Sequence, residues 1–146
     1  MEPMDRRAER RRGAIALRRQ AVERAETYVR EHIETPVPLS RLCRIVGLSE
    51  RGLRNAFYGV RGMSPTRCFL AGRLEGVRKA LRESWAITVT DAATSNGFYE
   101  LGRFAATYRE AFGETPSETL RRNRRRAATE YTNVTRAHQC LHEFPD

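Results

Sequence analysis

Apolar residues recur at helical spacing along most of the chain. Val22, Ala25, Val29 and Ile33 step by three and four, which predicts an amphipathic helix from Leu17 to Ile33, stopped by Thr35-Pro36-Val37-Pro38. Leu39, Leu42, Cys43 and Val46 then make a short helix closed at Gly47, and Ser49 opens another that carries Leu53, Ala56, Phe57 and Val60. Gly62 and Pro65 punctuate the chain before a longer helix, Pro65 to Glu83, with Leu70, Leu74, Val77 and Leu81 on one stripe. Ser84 to Thr88 interrupts the pattern. Val89, Ala92 and Ala93 resume it, Gly97 turns the chain, and Leu101, Phe104, Ala105, Tyr108 and Phe112 stripe the next helix.

This second stretch repeats the first. With Gly47 placed on Gly97, Leu39 pairs with Val89, Leu42 with Ala92, Cys43 with Ala93 and Leu48 with Phe98, all at an offset of fifty. Beyond the turn the offset becomes fifty-one: Leu53 meets Phe104, Phe57 meets Tyr108, Gly62 meets Gly113 and Pro65 meets Pro116. Each unit holds a small residue where a neighbouring helix passes close, then a glycine able to take positive φ, then a helix with its apolar stripe inward. That is helix-turn-helix geometry. The fold expected is all-α, with two helix-turn-helix subdomains joined by a long connecting helix. Its parts are a basic flexible arm at 1–16, a first subdomain at 17–64, the connector at 65–83, a second subdomain at 84–126 and a disordered tail at 127–146.

Length and charge narrow the function. A chain of 146 residues holds one ordinary domain or two very small ones. The formal charge is +9, and Lys79 is the single lysine among 27 cationic residues. Arginine presents a planar fork of donors suited to phosphates and guanine edges, although the same residues also serve as solvated helix faces. No stretch approaches membrane-spanning length, and the start lacks a signal-peptide core. Cys43, Cys68 and Cys140 form no CxxC pair, and the first two fall in apolar patterns, which fits a reducing cytoplasm. His138, Cys140 and His142 lie in the tail without a fourth ligand, so neither a metal nor a cofactor is expected. Hydrolase, phosphate-loop and zinc-protease motifs are missing, so the chain is not expected to be an enzyme.

Between about Ala21 and Arg126 the sequence resembles the AraC/XylS family of bacterial transcription regulators. The resemblance rests on Leu39-Ser-Arg-Leu-Cys-Arg-Ile-Val-Gly-Leu-Ser, on Met63-Ser-Pro with Arg73-Leu74, and on Asn96-Gly-Phe through Phe104, Tyr108-Arg, Phe112-Gly and Thr115-Pro-Ser. Leu101-Gly-Arg-Phe-Ala and Pro116-Ser-Glu-Thr-Leu-Arg-Arg are also similar to the ethanolamine-operon-regulator branch. The resemblance implies two recognition helices presented to successive major-groove segments of double-stranded promoter DNA, a cytoplasmic protein on the bacterial nucleoid, and RNA polymerase as a possible partner. Too few residues precede Ala21 in this chain for a small-molecule sensor domain, so it is expected either to work without one or to be the DNA-binding part of a longer regulator. The alternatives kept open are a non-specific basic nucleic-acid-binding protein and a helical protein-interaction module.

In the first recognition helix Arg51, Arg54 and Asn55 lie off the apolar stripe and match the family's base-contacting positions. Arginine takes guanine O6 and N7 together, and asparagine takes adenine N6 and N7. In the second, Arg103 and Ala106 are the base-reading candidates, with fewer hydrogen-bonding groups and hence lower specificity expected. Ser40, Thr66, Thr90 and Ser117, at helix starts, are expected as caps, and Ser40, Ser49, Thr66 and Thr90 together with Arg109 as phosphate contacts. The Phe57, Phe69, Phe98, Phe104, Tyr108 and Phe112 stripe is read as core rather than as a stacking platform. Trp85 is placed over the end of the connecting helix.

Overall fold

The computed structural model describes the backbone of residues 3–142 and the side chains of residues 5–136. Among these residues all regular structure is helical: α1 (Pro3–Glu31), α2 (Leu39–Val46), α3 (Glu50–Arg61), α4 (Pro65–Glu83), α5 (Val89–Thr94), α6 (Leu101–Phe112) and α7 (Pro116–His142). The chain divides into two compact units between Arg73 and Leu74, inside α4.

In the first unit Val22, Ala25 and Val29 of α1 bury against Leu42 and Cys43 of α2 and Leu53, Ala56 and Phe57 of α3. Fully burying one such large apolar side chain contributes about 1.5–3 kcal/mol, so these few residues hold the short helices in place. Phe69 closes the core edge-on to Phe57, ring centroids 5.3 Å apart. The second unit is built alike from Leu74, Val77 and Leu81 of α4, Ala92 and Ala93 of α5, Phe104 and Tyr108 of α6, and Leu120 of α7.

The repeat therefore extends one helix further than the turn motifs. At an offset of fifty-two, Val22, Ala25 and Val29 correspond to Leu74, Val77 and Leu81. In its second half α4 does for the second unit what α1 does for the first. The same register exposes a chemical exchange. In the first unit Arg61 Nε and Nη2 donate to the two oxygens of Glu26, each at 2.7 Å. The equivalent pair in the second unit is Phe112 and Arg78, whose guanidinium stands over the phenyl ring at 4.5 Å. One unit fastens its recognition helix by a bidentate ion pair and the other by a cation over an aromatic ring.

Both turns use glycine in the left-handed region, φ 73° at Gly47 and 81° at Gly97. In each, the N–H of the next residue reaches back to the small residue of the preceding helix: Leu48 to Cys43 O at 3.1 Å and Phe98 to Ala93 O at 3.0 Å. A second close approach lies between α4 and the end of α5. Asn96 Nδ2 donates to Ala92 O at 2.8 Å, and a Cβ at Gly76 would stand 2.2 Å from Asn96 Oδ1.

Four local expectations change. The segment 1–16, expected as a basic flexible arm, is helical from Pro3 onward, because Arg, Ala, Glu and Met are strong helix formers and proline suits a helix start. The tail expected to be disordered from 127 continues α7 to His142. There Arg126 pairs with Glu130 at 3.1 Å, and the hydroxyls of Thr129, Thr132 and Thr135 donate to carbonyls one turn back. Leu70 is exposed while Leu74, Val77 and Leu81 are buried, since its place on α4 falls in the first unit beside Phe69, outside the second unit's core. Trp85, expected to cover the end of the connecting helix, is 63 % exposed, and its carbonyl accepts from Arg124 Nε at 3.0 Å. The side chains of His138, Cys140 and His142 lie outside the described residues.

Two predictions follow from these contacts. Gly76→Ala should destabilise the protein by about 1 kcal/mol in urea unfolding, through displacement of the Asn96 hydrogen bond. In an Asn96→Ala background it should instead stabilise by about 1 kcal/mol, the ordinary helix preference for alanine. Independent, additive effects would contradict the contact. The hydrogen bonds from Arg61 hold the Glu26 carboxyl below its ordinary value of 4.5 despite partial burial. The lowered value means that Glu26 contributes stability above pH 4.5, lost as the pH falls through the folded-state value. Unfolding followed from about pH 7 to 3 should show the advantage of the parent over Glu26→Gln shrinking toward the acid end.

Candidate nucleic-acid interface

The outer face of α3 follows from what its inner face buries. Leu53, Ala56 and Phe57 are buried in the first core, so residues half a turn away are left in water. Arg51, Asn55 and Tyr58 follow one another at four and three residues on this opposite stripe, all exposed, with Arg54 exposed on its flank. Arg54 Nη2 lies 3.5 Å from Glu50, an open ion pair between two half-exposed side chains that contributes little and leaves the guanidinium free to reorient. Tyr58 is 57 % exposed. Nothing in its apolar character singled it out in the sequence, but its helical spacing from Arg51 and Asn55 does.

The register at fifty-one carries this stripe onto α6 as Gly102, Ala106 and Arg109, with Ala105 in the place of Arg54. Gly102, Ala106 and Arg109 are exposed, opposite the buried Phe104 and Tyr108. Arg103 is exposed on the other flank, 3.5 Å from Glu100. The outer face of α6 is thus smooth along its middle, with a cation at its end. A buried chain fixes its inner side: Tyr108 Oη meets Thr119 Oγ1 at 2.9 Å, the Thr119 hydroxyl lies 2.8 Å from Glu114 Oε1, and Arg122 pairs with Glu114 at 2.6 Å. Burial raises the Tyr108 phenol above its ordinary value, keeping it protonated as a donor or acceptor in this chain.

The helix starts correct the expected capping. Ser49 caps α3, its Oγ accepting from Gly52 N at 3.1 Å. The caps of α4, α5 and α7 are Ser64, Thr88 and Thr115, which accept from Arg67 N, Asp91 N and Glu118 N at 3.3, 3.0 and 3.2 Å. Glu118 returns the bond to Thr115 N at 2.7 Å, a reciprocal capping box that holds its carboxyl below the ordinary range. Ser40, Thr66, Thr90 and Ser117 each sit two residues beyond the cap position instead, and all four are exposed. Before α4, α5 and α7 the residue preceding the helix already serves a free backbone N–H, so the hydroxyls of Thr66, Thr90 and Ser117 are not needed for capping. Before α2 the cap position is Pro38, which has no side-chain acceptor.

The Cys43 and Cys68 thiols are free, and burial raises both above the ordinary thiol value, which keeps them protonated and inert. No group of His, Cys, Asp and Glu among the described residues is arranged to hold a metal ion, and no helix there is long and apolar enough to cross a membrane.

Residues 42–122 match a family model described as a helix-turn-helix domain. The XylDLEGF operon transcriptional activator of Pseudomonas putida is 36 % identical over 108 residues, 73 % of this chain and 34 % of the activator. The chain thus spans about a third of the length of such curated relatives. A probable AraC family transcriptional regulator from Rhodopseudomonas palustris has a crystal structure 41 % identical in sequence, with a TM-score of 0.63, covering 72 % of this chain and 98 % of that one. An AraC-type DNA-binding-domain regulator from Chromobacterium violaceum superposes with a TM-score of 0.66 at 26 % identity, over 72 % of this chain and 93 % of that one.

The capping geometry is open to a direct check. Alanine at Ser49, Thr88 or Thr115 should each lower stability by about 1 kcal/mol, while alanine at Ser40, Thr66, Thr90 or Ser117 should stay within about 0.5 kcal/mol of the parent in thermal or urea unfolding.

Proposed function

The chain belongs to the AraC/XylS family of helix-turn-helix, DNA-binding transcription regulators, which are not enzymes, and from that membership we propose how it reads double-stranded promoter DNA. Helices α3 and α6 enter two successive major-groove segments. Arg51, Arg54 and Asn55 read base edges, and Arg103 and Ala106 do so from α6, Ala106 by packing on a thymine methyl. Ser40, Ser49, Thr66 and Thr90, with Arg109, hold phosphates and set the register. The observation that carries this reading is the outer stripe of α3: two arginines and an asparagine, exposed together on the face opposite a tightly buried core.

The unequal faces of α3 and α6 support an asymmetric site, in which the first unit supplies most of the discrimination. A good bidentate side-chain to base pair contributes about 1–3 kcal/mol against the wrong base. Gly102, Ala105 and Ala106 lack the donors for such pairs and favour close approach over readout. Contact with RNA polymerase at the bound promoter and a cytoplasmic place on the nucleoid belong to the same proposal, supported by relatives named as transcriptional activators.

Selection of binding sites from random duplexes should return one asymmetric motif. Arg51→Ala and Arg54→Ala should each relax preference at positions in one half of it, whereas Arg125→Ala, in the exposed basic run from Arg121 to Arg126, should weaken all sequences alike. Salt-sensitive binding without a motif would instead indicate a packaging protein, and no binding to DNA an interaction module.

A further inference from the structure

The first half of α1 stands outside both cores. Between Pro3 and Arg19 it carries seven arginines against Asp5 and Glu9, and every described side chain from Asp5 to Gln20 is exposed. None of these arginines makes an ion pair or a hydrogen bond among the described residues. The helix is nevertheless continuous with the part that packs on α2 and α3. Counting back from Val29, Ala25 and Val22 in steps of four and three reaches Arg18, Ile15 and Arg11, with Arg7 one turn further. The face that buries against the first unit therefore continues beyond it as a cationic stripe.

Like charges one turn apart repel along this segment: Arg6 with Arg10, Arg7 with Arg10 and Arg11. A solvated surface helix normally interleaves the two signs, as Arg126 with Glu130 does at the far end of the chain. Here Asp5 and Glu9 stand against seven arginines, and no ion pair among the described residues offsets the repulsion. A polyanion relieves it and, in doing so, releases the counterions held on its own phosphates.

We propose that the overhanging half of α1 is a second DNA-binding element, an arginine helix that grips the phosphate backbone flanking the base-read site without reading sequence. The inference rests on the DNA-binding reading above. The arm contributes affinity and salt dependence, while the motif is set elsewhere, chiefly on α3.

The test uses the full chain and a triple variant, Arg7→Gln with Arg10→Gln and Arg11→Gln, whose exposed positions leave both cores untouched. Binding is measured against salt on the selected duplex, both trimmed to its motif and extended by about ten base pairs, roughly one helical turn, on each side. The parent should bind the extended duplex more tightly than the trimmed one. The glutamine variant should lose that gain, and its log K against log salt slope should shrink by about 2 to 3, from about 0.9 for each phosphate contact removed. Its selected motif should be unchanged, and the corresponding triple lysine variant should retain the parental slope.

An unchanged slope would overturn the proposal, as would an altered motif or a lysine variant as impaired as the glutamine one. Arm-dependent binding of a polyglutamate peptide with no change on DNA would overturn it in favour of an acidic protein partner. Failure of the parent to select any motif would count against the proposed base readout alone, because the arm's slope is measurable on any duplex.

Discussion

A glycine in the left-handed region at the head of each turn is the constraint from which the rest of this protein follows. At Gly47 and Gly97 the chain must reverse within a few residues while still returning an N–H to the carbonyl of Cys43 or Ala93. An L side chain there would strain the backbone by of order 1 kcal/mol or more. With the turn fixed, the second helix of each motif packs back beside the first, with Leu53 and Phe57, or Phe104 and Tyr108, buried. The outer stripe is then a geometric remainder: whatever stands half a turn from the buried residues faces water.

How each unit is fastened is less constrained than how it is turned. Glu26 with Arg61 and Arg78 with Phe112 occupy equivalent places yet share no chemistry. What the fold requires there is a contact between the supporting helix and the end of the recognition helix. A charge-assisted fork and a guanidinium over a ring both provide it. Cys68 and Thr119 differ in the same way. The thiol of one lies 3.5 Å from Glu26, while the hydroxyl of the other joins Tyr108 and Glu114 in a buried polar chain.

The helix order, the two turns and nearly all core residues were legible because their signals are local: period, glycine and proline. Ser49 was placed correctly as the cap of α3, but the caps of α4, α5 and α7 were misplaced by two residues. A run such as Thr88-Val89-Thr90 offers two hydroxyls, and only the backbone angles decide which one precedes the first helical turn. Helix extents at both ends were also missed, since an apolar stripe marks where a helix packs, whereas α1 and α7 run on past it, α1 through strong helix formers and α7 with the Arg126–Glu130 pair. The base-reading candidates on α3 could be placed from the stripe, but Tyr58 could not be found by seeking polar readers. It emerges only when the face is read as a surface, whatever its chemistry.

The same view gives physical content to the inequality of the two recognition helices. Gene duplication or convergence would each preserve turn and core, because errors there unfold a unit whose core is a handful of side chains. The outer stripe carries no such penalty. Arg51, Arg54 and Asn55 stand on α3 as the proposed readers, while their places on α6 hold Gly102, Ala105 and Ala106. A smooth helix is not an inert one: without side chains to hold it off, its backbone can lie closer to the bases, trading hydrogen-bond discrimination for contact area and shape. In the proposed reading, two units with one scaffold divide the work of one binding site, one selecting the sequence and the other seating the duplex.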